Sequence, residues 1–338
     1  MKKYVPVIIP TLNRYEHLYR CIESLRRSPV AEFTELYIGF DYPPSEAYVK
    51  GHDKIKKYLD AGIEGFYRVN VYERKENFGT KRNIGDLRAK AFRDYEAIIY
   101  TEDDNVFAPA FLEYMNEAAE KYKNSEHVLA ICGYSYPVSW EKDGCNVVAS
   151  DTFFSAWGWA TWRDKYYLLE KEINIDTFIM SLGNTGMVNK LRNKSIKDFC
   201  YFISSILSGT VSITDISISV YMALFDKVVI LPKISLVRNE GWDGTGLHCD
   251  DYKNDIYTGQ MIDESLYAGI KDKDLYESLP KNRNILNGLF QPDLSWKIRS
   301  VLIYNIIKII SPKRFFALYN KFDLKTRYKK LKNSKHNT

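Results

Sequence analysis

The chain of 338 residues is 45% apolar and 27% charged, which allows a sizeable buried core and argues against a disordered chain. Its net charge is +5, yet residues 293–338 hold twelve Lys or Arg against two Asp, so the body is net acidic and a nucleic-acid-binding body is disfavoured. Five cysteines, odd in number and without a Cys-x-x-Cys pair, argue against a disulfide framework or zinc site and fit a reducing compartment.

The opening residues carry Lys2 and Lys3 but too short an apolar stretch for a secretory signal, and no run reaches the roughly 18 apolar residues of a spanning helix. A cytoplasmic protein with at most peripheral membrane contact is expected. The first apolar run, Tyr4–Ile9, reads as a strand, although Pro6 within it lacks a donor for the ladder. Leu18, Ile22 and Leu25 then repeat at helical spacing. Further short runs follow at Leu36–Phe40, Val69–Tyr72, Ala97–Tyr100 and Val128–Cys132, alternating with longer segments. Pro109 suits a first helical turn that Leu112, Met115 and Ala119 continue. This alternation predicts an α/β fold, a mostly parallel sheet flanked by helices.

From about Val147 to His248 come aromatics, a Lys-rich helical stretch and a strand-like Lys227–Leu231, read as the second half of the same domain. The expected organisation is one domain over 1–290, in two halves over 1–135 and 136–290, then a basic helical tail over 291–338. In that tail Ile298, Leu302, Ile303, Ile306, Ile307, Ile309 and Ile310 share one broad face with Lys297, Ser300, Asn305 and Lys308 largely opposite. A basic amphipathic helix reads as an element for an anionic membrane surface, or else as a helix packed on the body with a frayed end.

In an open α/β sheet, ligands collect beyond the carboxyl ends of the strands. The residues there are Pro10-Thr11-Leu12-Asn13-Arg14, Asp41, Glu76-Asn77-Phe78-Gly79 and Thr101-Glu102-Asp103-Asp104-Asn105. Three consecutive acids raise one another's pKa unless a cation neutralises them, and Mg²⁺ or Mn²⁺ prefers such oxygens together with substrate phosphates. The competing account is a solvated acidic turn capping the helix near Pro109.

The stretches Ile8 to Arg14, Asp41, Asn77 to Gly85 and the Glu102-Asp103-Asp104 triplet, in this order and spacing, resemble the GT-A glycosyltransferases. The resemblance is to inverting, bacterial family-two-like enzymes, and the triplet is similar to that of N-acetylglucosaminyltransferase I. Trp157-Gly158-Trp159-Ala160-Thr161-Trp162-Arg163 and the segment from Arg238 to Cys249 are similar to bacterial enzymes of surface-polysaccharide pathways. The resemblance, which covers roughly Val5 to Cys249 and not the tail, implies a GT-A, Rossmann-like mixed sheet, with 1–135 as the nucleotide-binding half and 136–290 as the acceptor-binding half, and transfer of a sugar from a nucleotide-diphosphate donor, a UDP-sugar, to a saccharide or lipid-linked acceptor. Together with the tail's membrane reading, this gives the expectation of an enzyme peripheral on the inner face of the cytoplasmic membrane.

It further implies that Asp104 contacts the metal while Glu102 and Asp103 lie near sugar and ribose. Thr11, Asn13, Arg14 and Asp41 would surround base and ribose, and Asn77, Arg82 and Asn83 would approach the nucleotide. His248, after the glycine-rich Gly241 to Gly246, would be a second Mn²⁺ ligand, or a structural histidine. Inverting displacement needs a base for the acceptor hydroxyl. Asp215 is the candidate, placed where related enzymes carry an acid pair that Thr214 interrupts here; the plainer account is a helix N-cap. Asp243 is the next carboxylate in line. Trp157 and Trp159 could stack on a sugar, or pack a loop-to-helix junction. A nucleotidyltransferase is the rival enzyme, but Pro10 to Arg14 lacks the glycines of its phosphate loop; a non-catalytic binding or scaffold protein on the same fold is the rival from another class.

Overall fold

A computed structural model describes residues 4–244 and 260–321. In chain order it contains β1 (Val7–Thr11), α1 (Tyr15–Arg26), β2 (Glu35–Phe40), α2 (Glu46–Asp60), β3 (Arg68–Glu73), α3 (Gly79–Asp94), β4 (Ala97–Tyr100), β5 (Asn105–Phe107), α4 (Phe111–Tyr122), β6 (Val128–Cys132), β7 (Val147–Ser150) and β8 (Trp159–Trp162). Five helices follow, α5 (Arg163–Glu172), α6 (Ile175–Leu182), α7 (Thr185–Lys194), α8 (Ile196–Ser208) and α9 (Asp215–Phe225). The chain continues through β9 (Val228–Pro232), β10 (Val237–Asn239), α10 (Leu279–Asn287), α11 (Leu294–Ile310) and α12 (Pro312–Lys321).

Eight strands form one mixed sheet in the order β3-β2-β1-β4-β8-β6-β9-β7. The pairs β1–β2, β2–β3 and β1–β4 are parallel, whereas β8 inserts antiparallel between β4 and β6. All six residues of β2 and all five of β6 are buried, as continuous apolar runs covered on both faces require. The expected mostly parallel sheet flanked by helices is therefore present.

The first strand lies further along than Tyr4–Ile9. It starts after Pro6, whose carbonyl accepts Ile99 N–H at 2.8 Å, and it contains Pro10 opposite Gly39. Pro10 is tolerated there for a visible reason. Pro6 and Ile8 turn their carbonyls to the β4 side, where Thr101 N–H is the last donor, so the donor that Pro10 lacks points where the β4 ladder has ended. Pro109 is not in a helix: Pro109 and Ala110 form a turn, and α4 begins at Phe111. Between the acidic triplet and that helix runs β5, paired antiparallel with β10 in a separate two-stranded sheet, so the triplet does not cap α4.

The chain divides into two compact units. The first comprises residues 1–149, 155–165 and 229–276 and carries the sheet. The second comprises 150–154, 166–228 and 277–338 and is helical among its described residues. Its core gathers Phe178, Val188, Leu191, Phe199, Phe202 and Ile206 with Tyr304 and Ile307 of α11. Polar side chains set the starts of its helices: Asn174, Asn184, Ser195 and Thr214 each accept a backbone N–H from the first turn of α6, α7, α8 and α9 respectively.

Candidate active site

The strand order reverses at β1, with β2 and β3 on one side and β4 on the other, and the loops after β1 and β4 meet there. Thr11, the last residue of β1, donates its hydroxyl to Asp103 Oδ2 at 2.8 Å. Arg14 precedes α1 and gives that helix no side-chain cap; its guanidinium turns to the acids instead. Nη2 bonds Asp103 Oδ1, and Nη1 lies 2.8 Å from Asp104 Oδ2, paired by charge but misaligned for a hydrogen bond.

The short β5–β10 ladder completes the site. It sets Asn239 opposite Asn105, and Asn239 donates to Asp104 Oδ1 at 2.9 Å and Asn105 Oδ1 at 3.0 Å. The next residues close over Asp104: Glu240 N–H donates to its carbonyl at 2.8 Å, and a side chain at Gly241 would stand 2.3 Å from Asp104 Oδ2. Glycine at 241 thus leaves room beside that carboxylate oxygen.

Asp103 and Asp104 are both buried. Burial raises the Asp103 pKa and Asp104 adds to the rise, while Arg14 and Thr11 oppose it. Burial would lower the Arg14 pKa, but Asp103 and Asp104 outweigh it and the net shift is upward. Cys21, behind the acids, is pushed well above a free thiol by burial and then by the same two carboxylates. One fixed cation therefore faces two buried carboxylates, and hard oxygen donors with one negative charge in excess suit a divalent ion. Among the described residues no three His, Cys, Asp or Glu side chains converge as a ready-made metal cage. His248, expected as the second metal ligand, lies outside the described residues, as does the tail beyond Lys321.

A second group forms at the end of β2. Asp41 is buried, and its Oδ1 accepts the backbone N–H of Tyr42 at 2.9 Å and of Phe78 at 2.8 Å, tying this turn to the start of α3. Asn77 donates to Tyr42 O at 2.6 Å, and the Arg82 guanidinium lies 3.5 Å from the Phe78 ring centre while pairing with Glu76 at 2.7 Å. Asn83 is buried, its amide donating to Gly39 O at 2.8 Å and accepting from Arg74 at 3.0 Å. The Asn13 turn backs onto α2, where a side chain at Gly51 would meet Asn13 O at 2.1 Å.

The aromatic block separates into two roles. Trp159 and Trp162 are buried in β8, and Trp162 donates its indole N–H to Ala119 O at 3.1 Å. Trp157 is half-buried, edge-on to Tyr134 at 4.7 Å and to Trp242 at 6.3 Å, which places it beside the Gly241 segment. Asp243 accepts from His17 Nε2 at 2.9 Å. Arg20, which can only donate, contacts His17 Nδ1 at 3.0 Å, so that nitrogen accepts and the proton sits on Nε2.

Asp215 is the first helical residue of α9, in the second unit. The cap is Thr214, whose hydroxyl accepts Ser217 N–H at 3.3 Å while Ser217 Oγ accepts Thr214 N–H at 2.8 Å. The plainer account of Asp215 as the N-cap is thereby overturned. The sequence assigns Asn239 and Gly241 no role beside the acids; their one signal is their place in the Arg238 to Cys249 segment, with Gly241 opening its glycine-rich stretch.

The arrangement places a buried acidic cluster at the topological switch point of an α/β sheet. A sequence profile of "Glycosyl transferase family 2" matches residues 7–190, and the chain belongs to that family. No curated protein matches the chain at a significant level. Among solved structures it is similar to the mannosyltransferase PcManGT from Pyrobaculum calidifontis, in complex with GDP-Man and Mn²⁺, at 16% identity and a TM-score of 0.34, over 51% of this chain and 47% of that one. It is also similar to residues 1–349 of S. aureus TarS at 14% identity and a TM-score of 0.32, over 50% of this chain and 49% of that one. The alignments thus span about half the length of each neighbour.

Proposed function

We propose that the protein moves a sugar from a nucleoside-diphosphate donor, a UDP-sugar, to a hydroxyl of a saccharide acceptor with inversion at the anomeric carbon, in the assembly of a surface polysaccharide. The observation that carries this reading is the buried network Thr11–Asp103–Arg14–Asp104–Asn239 at the ends of β1 and β4. In it Thr11, Asn13, Arg14 and Asp41 hold the base and ribose, and Asn77 and Arg82 approach the nucleotide, with Asn83 bracing α3 behind them. Glu102 and Asp103 face ribose and sugar.

Asp104 is the protein carboxylate for a Mn²⁺ or Mg²⁺ ion, with His248 as the second ligand. When bound, the ion would neutralise the diphosphate as it leaves. The gap that Gly241 leaves beside Asp104 Oδ2 and the uncompensated carboxylate charge support this assignment. The acceptor oxygen bonds to the anomeric carbon as that carbon's bond to the diphosphate oxygen breaks, and the hydroxyl proton passes to the carboxylate of Asp215. Trp157 and Asp243 receive the acceptor, while Trp159 supports them from β8. The acceptor is a saccharide or a lipid-linked saccharide, and the protein works at the inner face of the cytoplasmic membrane.

Incubation with a panel of sugar nucleotides and Mn²⁺ tests the reading. One donor should be consumed, and chelation should stop it. Donor binding without turnover would leave a binding protein, and neither binding nor turnover across the panel would remove the donor assignment.

A further inference from the structure

The C-terminal segment carries two faces that sequence alone left as alternatives. At 3.6 residues per turn, Ser300, Tyr304 and Ile307 of α11 point one way, and all three are buried, Tyr304 and Ile307 within the core of the second unit. Leu294, Ile298, Leu302, Ile306 and Ile309 fall on the opposite side, within an arc of roughly 120° that also holds the exposed Ser295 and Asn305. All five are 50–82% exposed. Lys297 and Lys308 line one margin of this apolar stripe and Arg299 the other, and all three are exposed.

We propose that this stripe is a docking face for an anionic lipid surface, with α11 lying in the plane of the interface and the second unit fixed to the membrane through it. The proposal deepens one part of the function above, the membrane contact, and is independent of the donor chemistry. Length decides against crossing: 17 residues reach only about 25 Å, and no described helix is long and apolar enough to span a bilayer. Charge decides the occupant. Residues 293–338 hold twelve Lys or Arg against two Asp, so a second copy on the same face would oppose like charges, whereas acidic headgroups would be neutralised as the stripe enters the acyl boundary. The buried face makes α11 an integral part of the second unit, so truncation at residue 295 would strip Tyr304 and Ile307 from its core and cannot isolate the lipid contact.

The test uses the full chain with vesicles of phosphatidylcholine, alone or mixed with phosphatidylglycerol. The wild type should sediment with the mixed vesicles and not with the neutral ones, and less so in high salt. Leu302→Glu with Ile306→Glu should weaken binding at least about tenfold without changing the melting temperature, since both positions are exposed. Lys297→Gln, Arg299→Gln and Lys308→Gln, which leave the stripe intact, should each cost roughly fivefold. Wild-type affinity in both sets, or a wild type that ignores anionic vesicles, overturns the proposal. A vesicle-free dimer that Leu302→Glu dissociates overturns it too, by assigning the stripe to a second copy. Vesicle binding is read without a transfer assay, so its failure is distinct from failure of the donor reading.

Discussion

Two groups of buried acids in this chain are balanced differently. In the first unit Asp103 and Asp104 share the single guanidinium of Arg14. In the second unit Asp151 alone receives two cations, Arg283 through bonds of 3.1 and 2.7 Å and Lys194 at 3.1 Å. Burying a carboxylate is costly unless it is paired, so Asp151 is explained as structure and nothing is left over. The pair near Arg14 keeps a surplus negative charge beside a glycine, and that surplus is what a catalytic ion and its phosphates would use. Charge balance, rather than the number of acids, separates the two groups.

The largest effect should come from an acid that belongs to neither group. Thr214 already caps α9, so Asp215→Asn removes a base without removing a cap. Turnover should fall by about 10² to 10⁴ while nucleotide affinity and melting temperature hold. Near-normal turnover would reject Asp215, and Asp243 would be examined next. Asp104→Asn should lower turnover by about 10² to 10³ and abolish the metal dependence of nucleotide binding, with stability unchanged or raised as a like charge disappears. A loss of stability with activity retained would make Asp104 resemble Asp151 and erase the comparison.

The contrast was half legible in the sequence. Ala97–Tyr100 and Val128–Cys132 are strands with the bounds their apolar runs suggest, because a buried strand is a local pattern. The acids after β4 stood out for the same reason. Their partners did not: β5 and β10 have three residues each, and the Asn239–Asp104 bond joins positions 135 apart. The β8 sequence Trp-Ala-Thr-Trp carries no alternation of its own, and its burial follows from lying between β4 and β6. Whether Thr214 or Asp215 caps α9 turns on a one-residue shift of the helix start, since both residue types cap well. The pairing of Asp151 was hidden because Lys194 and Arg283 come from helices far along the chain.

Asp151→Asn tests the structural side. It leaves Arg283 and Lys194 without their shared carboxylate, although Lys194 keeps Asp226 at 3.0 Å. A loss of about 3 kcal/mol in unfolding free energy is expected, with turnover per folded molecule near normal. Denaturant unfolding beside a transfer assay reads both, and a stable but inactive variant would place Asp151 in the chemistry instead.

The last test concerns Asp198, which sharpens the same contrast because its Oδ2 has no hydrogen-bond partner among the described residues. Burial lifts its pKa to about 7, opposed by Lys197 and by the Ser195 hydrogen bond, with Asp151 adding to the rise. An unfolded aspartate titrates near 3.9. Below about pH 4 the carboxyl is neutral in both states and costs nothing. Between about pH 4 and pH 7 the folded protein holds a proton that the unfolded chain releases, so stability falls as pH rises, by at most about 1.4 kcal/mol per pH unit. Above about pH 7 both states are ionised and the full penalty persists. Asp198→Asn cannot ionise, so its stability advantage over the wild type should open between pH 4 and 7 and then level off, as measured by denaturant midpoints across that range. Parallel curves for the two proteins would show that ionisation of Asp198 does not oppose folding across that range.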